Sequence, residues 1–440
     1  MTNPNKSNMN LDNDKMKVNW FFIQLVLLNI ILIFLRIAYG NGLLGQGNFI
    51  GVLIFTIIVL TLLILLGLKK YDYFILVWLS FYFAAPIITI PNFSIGSLGL
   101  LNGIFIPLMI LILFGPKSKY FLLIIALMFV SILNPGTLDL RLIISRIFEF
   151  IAPLLFFYFV VKKCKNPSLL ISGAITIALI NIPLAIYQVI YQPAWGSLAD
   201  WRGIRIFGNL FWHNSYSVYL LPLLLVLYGY MRDKFSKWYL VFFLILLSAD
   251  ILTLSRAGIF SLLFGLILFE FIYTKGKKTI MKKTVLVLLI ASMFLIYNTI
   301  NIQDYHLRTS TIGERTGIWE SVTPLINNLF LGNGLGSYEA ERVNVVNSLS
   351  PHNYYLGIIF EVGILGLILV LLFLGNIFMD FRRKYKKNKT HLKSNLSSAI
   401  GIALLASLML FSITGDAAFS QVVSLDAWII LGCLMIKKDN

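Results

Sequence analysis

Apolar runs of about 20 residues, the length a helix needs to cross a bilayer core of about 30 Å, follow one another from Trp20 to the neighbourhood of Lys437. That recurrence constrains the fold more than any other feature of the chain. In hydrocarbon every backbone N–H and C=O must find a partner inside the protein, which leaves helices or closed barrels. Barrel strands alternate apolar and polar residues over segments of about 10, and no such alternation is found. Hydrophobic residues are 58% of the chain and charged residues 12%, about half the charged share of a soluble domain. The sequence predicts an all-α polytopic membrane protein.

Fourteen spans are expected, at approximately 20–38, 49–68, 71–90, 98–114, 119–134, 143–161, 168–190, 213–230, 237–254, 257–274, 284–300, 353–375, 396–413 and 423–436. The polar stretch before them reads as a cytosolic tail and not as a signal peptide. The first apolar run exceeds the roughly 7–15 residues of a signal core, and no small-residue cleavage site follows it. The chain then divides into the tail (1–19), spans one to eleven (20–300), a large extracytoplasmic loop carrying the site (301–352), and spans twelve to fourteen with a cytosolic C-terminus (353–440). Cys164 and Cys433 lie beside lysines at cytosolic helix ends, so no structural disulfide is expected.

Charge orients the scheme, because short cytoplasmic loops carry the Lys/Arg excess. With the N-terminus inside, all 24 lysines fall inside. Nine of the 12 arginines do not: Arg36, Arg141, Arg146, Arg202, Arg205, Arg256, Arg308, Arg315 and Arg342 lie at or near the outer face. The net charge of +17 is mostly inside lysine meeting anionic lipid and requires no nucleic-acid partner.

An outer face that keeps arginine and no lysine also carries chemistry. The guanidinium is a rigid fork suited to bidentate contact with phosphate or carboxylate, whereas lysine is a strongly hydrated point charge. A site for a phosphate-rich ligand follows. The plainer account is that single arginines pair with Asp139, Asp200 or Glu314, or with lipid head groups.

The one long polar interval, Asn301–Ser350 with Pro351-His352-Asn353 after it, is where function is sought. Upstream, Trp201-Arg202-Gly203-Ile204-Arg205 runs toward Trp212-His213-Asn214, as a phosphate and sugar site or as an interfacial aromatic belt. Arg256 stands at the tight hairpin Asp250–Gly258, where an ionisable group at membrane depth either serves a cavity or snorkels to the interface. Gly313–Glu320 leads through Pro324 to Gly332, Gly334 and Gly336, with Ile318–Phe330 expected as a short external helix bearing Trp319 and apolar residues on one side. The glycines are not a nucleotide loop, because the strand–loop–helix context and the Lys-Ser/Thr ending are absent. They are expected to form a tight turn or allow close backbone approach. His352 precedes a span. It is either a structural residue or a general base, which a helix N-terminus keeps neutral and able to accept a proton.

His352-Asn353, nine further residues and then Gly363-x-x-Gly366 resemble the His-Asn-x9-Gly-x-x-Gly signature of bacterial O-antigen ligases. Arg315 with Trp319, the glycine turn and the long loop before His352 resemble the segment shared by those ligases and the O-antigen or exopolysaccharide polymerases. Ser255-Arg256-x-Gly258 and Arg205-x-Phe207-Gly208 with Asn214 are similar to the arginine motifs that precede it. The resemblance covers roughly residues 200–375.

It implies a GT-C-like, metal-independent, inverting membrane glycosyltransferase working in the bacterial cytoplasmic membrane at its outer face. The donor would be a polyprenyl-pyrophosphate-linked glycan and the acceptor a glycan or lipid. Membrane lipids and a chain-length regulator complete the partners, with no cofactor. His352 would be the base, Arg256 and Arg315 would hold the pyrophosphate, and Arg205, Arg202, Trp319 and Asn353 would bind substrate. The only Asp-x-Asp, Asp12-Asn13-Asp14, falls in the tail, and no metal site is expected. Polymerase is favoured slightly over ligase, which breaks the same bond. A lipid-linked oligosaccharide flippase is the reading from another class. Glu149, Asp250 and Glu361 keep it open, although no internal repeat of the kind transporters favour is found.

Overall fold

The structure is a computed structural model that describes residues 20–35, 37, 49–84, 97–113, 118–133, 140–191, 213–253, 255–273, 310–335, 337, 353–387, 392–414 and 421–436, with the side chains of Arg141, Arg146, Glu149, His213 and Arg315 not among those described. Every regular element among these residues is helical. In chain order they are α1 (Trp20–Leu35), α2 (Phe49–Gly67), α3 (Tyr71–Ala84), α4 (Ser97–Leu113), α5 (Lys119–Leu133), α6 (Leu140–Lys163), α7 (Pro167–Ile180), α8 (Ile182–Tyr191), α9 (His213–Asp233), α10 (Lys237–Leu252), α11 (Arg256–Tyr273), α12 (Ser310–Val322), α13 (Tyr354–Lys387), α14 (Leu392–Thr414) and α15 (Gln421–Met435).

Each expected span except 284–300, which lies outside the described residues, coincides with helix. Among the described residues four stretches are long and apolar enough to cross a membrane, namely Pro167–Gln188, Arg256–Tyr273, Tyr354–Lys387 and Asn395–Ile413. The stretch expected at 168–190 is two helices, α7 and α8, meeting at Asn181. Pro183 has no N–H to offer the preceding turn, and the Asn181 side chain folds back, its Nδ2 donating to the Ile177 carbonyl at 2.7 Å. The helix expected at 353–375 runs on to Lys387.

Helix α15 lies at the centre. It packs against α3, α6, α7, α9 and α14, and Leu425, Ala427, Trp428, Ile429, Ile430 and Leu431 are all buried. A helix apolar all round belongs in an interior, and this one has no lipid-facing side from Ser424 to Leu434.

Polar contacts tie the helix ends into two sets. At one end Asp72 accepts the Lys165 and Asn166 amides at 3.2 Å, and Lys119 and Tyr120 reach Asp380 at 2.9 and 2.6 Å. Tyr385 donates to the Ile272 carbonyl at 2.6 Å, and Lys384 to that of Leu434 at 2.8 Å. There too, fully buried Glu270 takes Arg232 and the Tyr228 hydroxyl, the latter at 2.7 Å. Cys164 and Cys433 are free and buried. At the other end Ser255 bonds Asn214 and the start of α13 packs on α12. The C-termini of α11 and α13 therefore share one end, and α12 sits at the opposite one.

Candidate functional site

The polar segment before α13 is built into that helix. Helix α13 breaks at Gly363, whose φ of 73° and ψ of −175° are not helical. A break leaves two carbonyls and two amides without their i→i+4 partners, and buried backbone groups do not stay unpaired. The turn Leu329–Gly334 supplies all four. The Asn333 amide donates to the Phe360 carbonyl at 2.7 Å and the Gly334 amide to that of Glu361 at 3.0 Å. In return the Ile364 and Leu365 amides donate to the Leu329 and Phe330 carbonyls at 3.0 and 3.3 Å. Loop and helix are interlocked through backbone alone.

The sequence of the turn explains how it can enter. Gly332 and Gly334 take φ of 73° and 97°, a left-handed region that costs little only for glycine. The expected tight turn and close approach are both present at Gly332. Asn328 accepts the Phe330 and Leu331 amides through Oδ1, both at 3.0 Å. Asn333 accepts the Asn327 amide at 2.8 Å and donates to the Leu325 carbonyl at 2.6 Å. These two side chains replace the helix expected through Phe330. Helix α12 stops at Val322, a 3-10 turn covers Thr323–Leu325, and Pro324 cannot donate to continue the ladder. Of the apolar face expected with Trp319, Ile318 and Val322 of α12 pack with Phe360 and Leu356 of α13, joined by Leu325 and Ile326 beyond the helix; Trp319 is not in this cluster.

Asn353 caps α13. Its Oδ1 accepts the Leu356 amide at 3.1 Å, an N-cap bond. The first turn is fixed by the stacked rings of Phe150 and Tyr354 and by Tyr355 donating to the Met409 carbonyl at 2.9 Å. The residue before the cap, His352, lies outside the described residues, as do Arg202 and Arg205. Arg315 lies on α12. Trp319, one turn further along, is half-buried.

Arg256 is the first residue of α11 and is exposed. Among the described residues no carboxylate pairs with it. Ser255 is the cap of that helix, accepting the Gly258 amide at 3.2 Å and donating to Asn214 Oδ1 of α9 at 2.8 Å. Thr253 closes the hairpin, taking the Ser255 amide at 3.1 Å and donating to the Asp250 carbonyl at 2.6 Å. Beneath it buried Asp250 accepts the Ser217 hydroxyl, and Gly258 faces Ser217 so closely that a Cβ would overlap its Oγ. In the Ser-Arg-x-Gly stretch, then, Ser255 caps, Gly258 makes room, and exposed Arg256 has no acid partner among the described residues. It opens a helix whose N-terminus also favours anions.

Two features were not anticipated from the sequence. Asn214 was noted only as part of a motif, and it joins the starts of α9 and α11. Asp426 on α15 is 1% exposed, and neither of its oxygens has a hydrogen-bond partner among the described residues. A lone acid inside the last apolar run was the available signal. No cluster of His, Cys, Asp or Glu that could hold a metal occurs among the described residues.

A family model described as O-antigen ligase matches residues 240–371. No curated protein matches the chain. The matched segment begins in α10 and ends within α13. It therefore takes in Arg256, Arg315, Trp319, the interlocked turn, Asn353 and Gly363, and leaves Arg202 and Arg205 outside. Arg256, the Arg315–Trp319 segment, the loop-to-helix interlock and Asn353 thus all fall inside one segment, residues 240–371, that is similar to the O-antigen ligase family.

Proposed function

We propose that the protein is a metal-independent, inverting glycosyltransferase that extends polyprenyl-pyrophosphate-linked glycans at the outer face of the bacterial cytoplasmic membrane, in surface polysaccharide synthesis. The match of residues 240–371 to the O-antigen ligase family model supports a role in glycan assembly. What carries the finer reading is Arg256, an exposed arginine at a helix N-terminus with no acid partner among the described residues. The segregation of helix-end contacts into two sets supports the fourteen-span scheme, and the predicted span 284–300 accounts for the passage from the end of α11 to α12.

In this mechanism His352 removes the proton from an acceptor hydroxyl. The oxygen attacks the anomeric carbon of the donor from the side opposite the pyrophosphate, the carbon–oxygen bond to the pyrophosphate breaks, and polyprenyl pyrophosphate departs. Arg256 and Arg315 hold the pyrophosphate and take up the charge that develops on it. Asn353, which caps α13, belongs to the substrate site. Trp319, Arg202 and Arg205 contact the glycan or its phosphates. A chain-length regulator would act on the extended product.

Addition of acceptors tests the choice between polymerase and ligase. Purified protein given only its lipid-linked repeat unit should yield longer polyprenyl-linked chains. Transfer that begins only when a separate lipid or protein acceptor is added would make it a ligase. Buried Asp426, whose carboxylate has no hydrogen-bond partner among the described residues, is the observation that favours a carrier instead. A flippase should lose function with Asp426→Asn, whereas a transferase should lose it with His352→Ala.

A further inference from the structure

We propose that the turn Leu329–Phe330 is an anchor that inserts into the hydrocarbon of the outer leaflet and holds the site loop at the level of the membrane surface. This rests on the sidedness proposed above. Both side chains are strongly exposed, Leu329 at 57% and Phe330 at 61%. Neither is on a loose tip, because the Asn328 side chain binds the Phe330 and Leu331 amides and the backbone of both residues is bonded into α13. A turn that rigidly presents two large apolar side chains requires an apolar partner.

The depth of the turn identifies that partner. Asp380, ion-paired with Lys119, marks where α13 meets the charged boundary at the lysine end. Gly363 lies 17 residues earlier on the same helix, about 26 Å along it at 1.5 Å per residue. A hydrocarbon core is about 30 Å thick, so the break comes close beneath the opposite boundary. The carbonyls of Leu329 and Phe330 bind the Ile364 and Leu365 amides, which sets the turn at that same depth.

Below the turn, Ile368, Leu371, Leu372, Phe378 and Met379 of α13 are all exposed and fall on one helical face. The face continues upward through Ile364, where the turn is attached. Leu329 and Phe330 extend a lipid-facing stripe, and the occupant is bilayer hydrocarbon. Polyprenyl pyrophosphate presents its charged group at this boundary, so an anchor here keeps α12 and its Arg315 level with it.

A nitroxide on Phe330→Cys in the full chain, reconstituted in phosphatidylethanolamine–phosphatidylglycerol vesicles without polyprenyl lipid, reads the depth directly. The native cysteines are buried, and the unsubstituted chain reports any label they take. The label should collide with oxygen as often as one on Leu371→Cys and lose the collisions with a water-soluble nickel complex that one on Glu320→Cys shows. Nickel access equal to that at Glu320→Cys would overturn the anchor. A membrane-impermeant thiol reagent on Glu320→Cys in intact cells tests sidedness separately. If that site is unreactive from outside while the label at position 330 still meets oxygen, the anchor stands and the outer-face assignment falls.

Discussion

Gly332 and Gly363 lie backbone against backbone: a Cβ on Gly332 would sit 2.6 Å from the Gly363 nitrogen, and a Cβ on Gly363 would sit 2.6 Å from the Gly332 nitrogen. Both have φ of 73°, so each position excludes a side chain twice, by conformation and by space. Gly363→Ala is expected to cost more than the about 1–3 kcal/mol of a strained left-handed residue, because the facing backbone cannot move away without breaking the four loop–helix bonds. Gly375, with nothing near its Cβ position, is the control on the same helix. Thermal unfolding in detergent should show a clear drop for Gly363→Ala and Gly332→Ala and no loss for Gly375→Ala, which should gain about 0.5–1 kcal/mol from helix propensity. Equal stability of all three would contradict the interlock.

Asn353→Ala removes the acceptor of the Leu356 amide and should lower stability by about 0.5–2 kcal/mol. If Asn353 also serves the substrate site, as the proposed function has it, activity should fall as well. Asn353→Asp and Asn353→Ser keep an oxygen at the cap and should recover most of the loss in both measurements.

The Glu270 carboxylate is buried between α9 and α11 and holds Arg232 and Tyr228. Removing one partner of such a pair leaves the other polar groups uncompensated, at a cost of about 3–5 kcal/mol. Glu270→Ala should therefore lower the unfolding temperature sharply. Turnover per folded molecule should stay near wild type, because this cluster is at the far end of the bundle from Arg256. A selective loss of turnover at unchanged stability would mean that the cluster serves the reaction.

Asp250→Asn keeps an oxygen for the Ser217 hydroxyl and should leave transfer activity within a few fold of wild type. Asp250→Ala strands that hydroxyl in the interior, at about 1–3 kcal/mol, and should loosen the Ser255–Gly258 turn beneath Arg256. Abolition of function by the isosteric Asp250→Asn would favour a carrier that needs the charge.

Much of this architecture is legible in the sequence because each level signals itself. Apolar runs predict helices at thirteen of the fourteen proposed positions, with 284–300 outside the described residues. Ser255-Arg256-x-Gly258 reads correctly as a built turn. Gly332 reads correctly as a place of close approach, with Gly336 outside the described residues, but the element it approaches is not readable, because Gly332 and Gly363 are far apart in the chain and their segments join through backbone bonds that no side-chain pattern encodes. The helix expected through Phe330 ends at Val322 because the Asn328 and Asn333 side chains bond the local backbone of the turn, while the Asn333 amide goes to the Phe360 carbonyl of α13. Asn214 and Asp426 were undervalued because a single polar residue in an apolar run carries no period.

The most direct test of the central claim is turnover of a polyprenyl-pyrophosphate repeat unit by purified protein with a chelator present, following chain length and released carrier for wild type, His352→Ala, Arg256→Ala and Arg315→Ala. Wild type should release one polyprenyl pyrophosphate for each bond formed. His352→Ala should be inactive while still binding donor, and the arginine variants should bind it more weakly and turn it over more slowly. Full activity of His352→Ala, or no turnover by wild type with donor binding intact, would contradict the account.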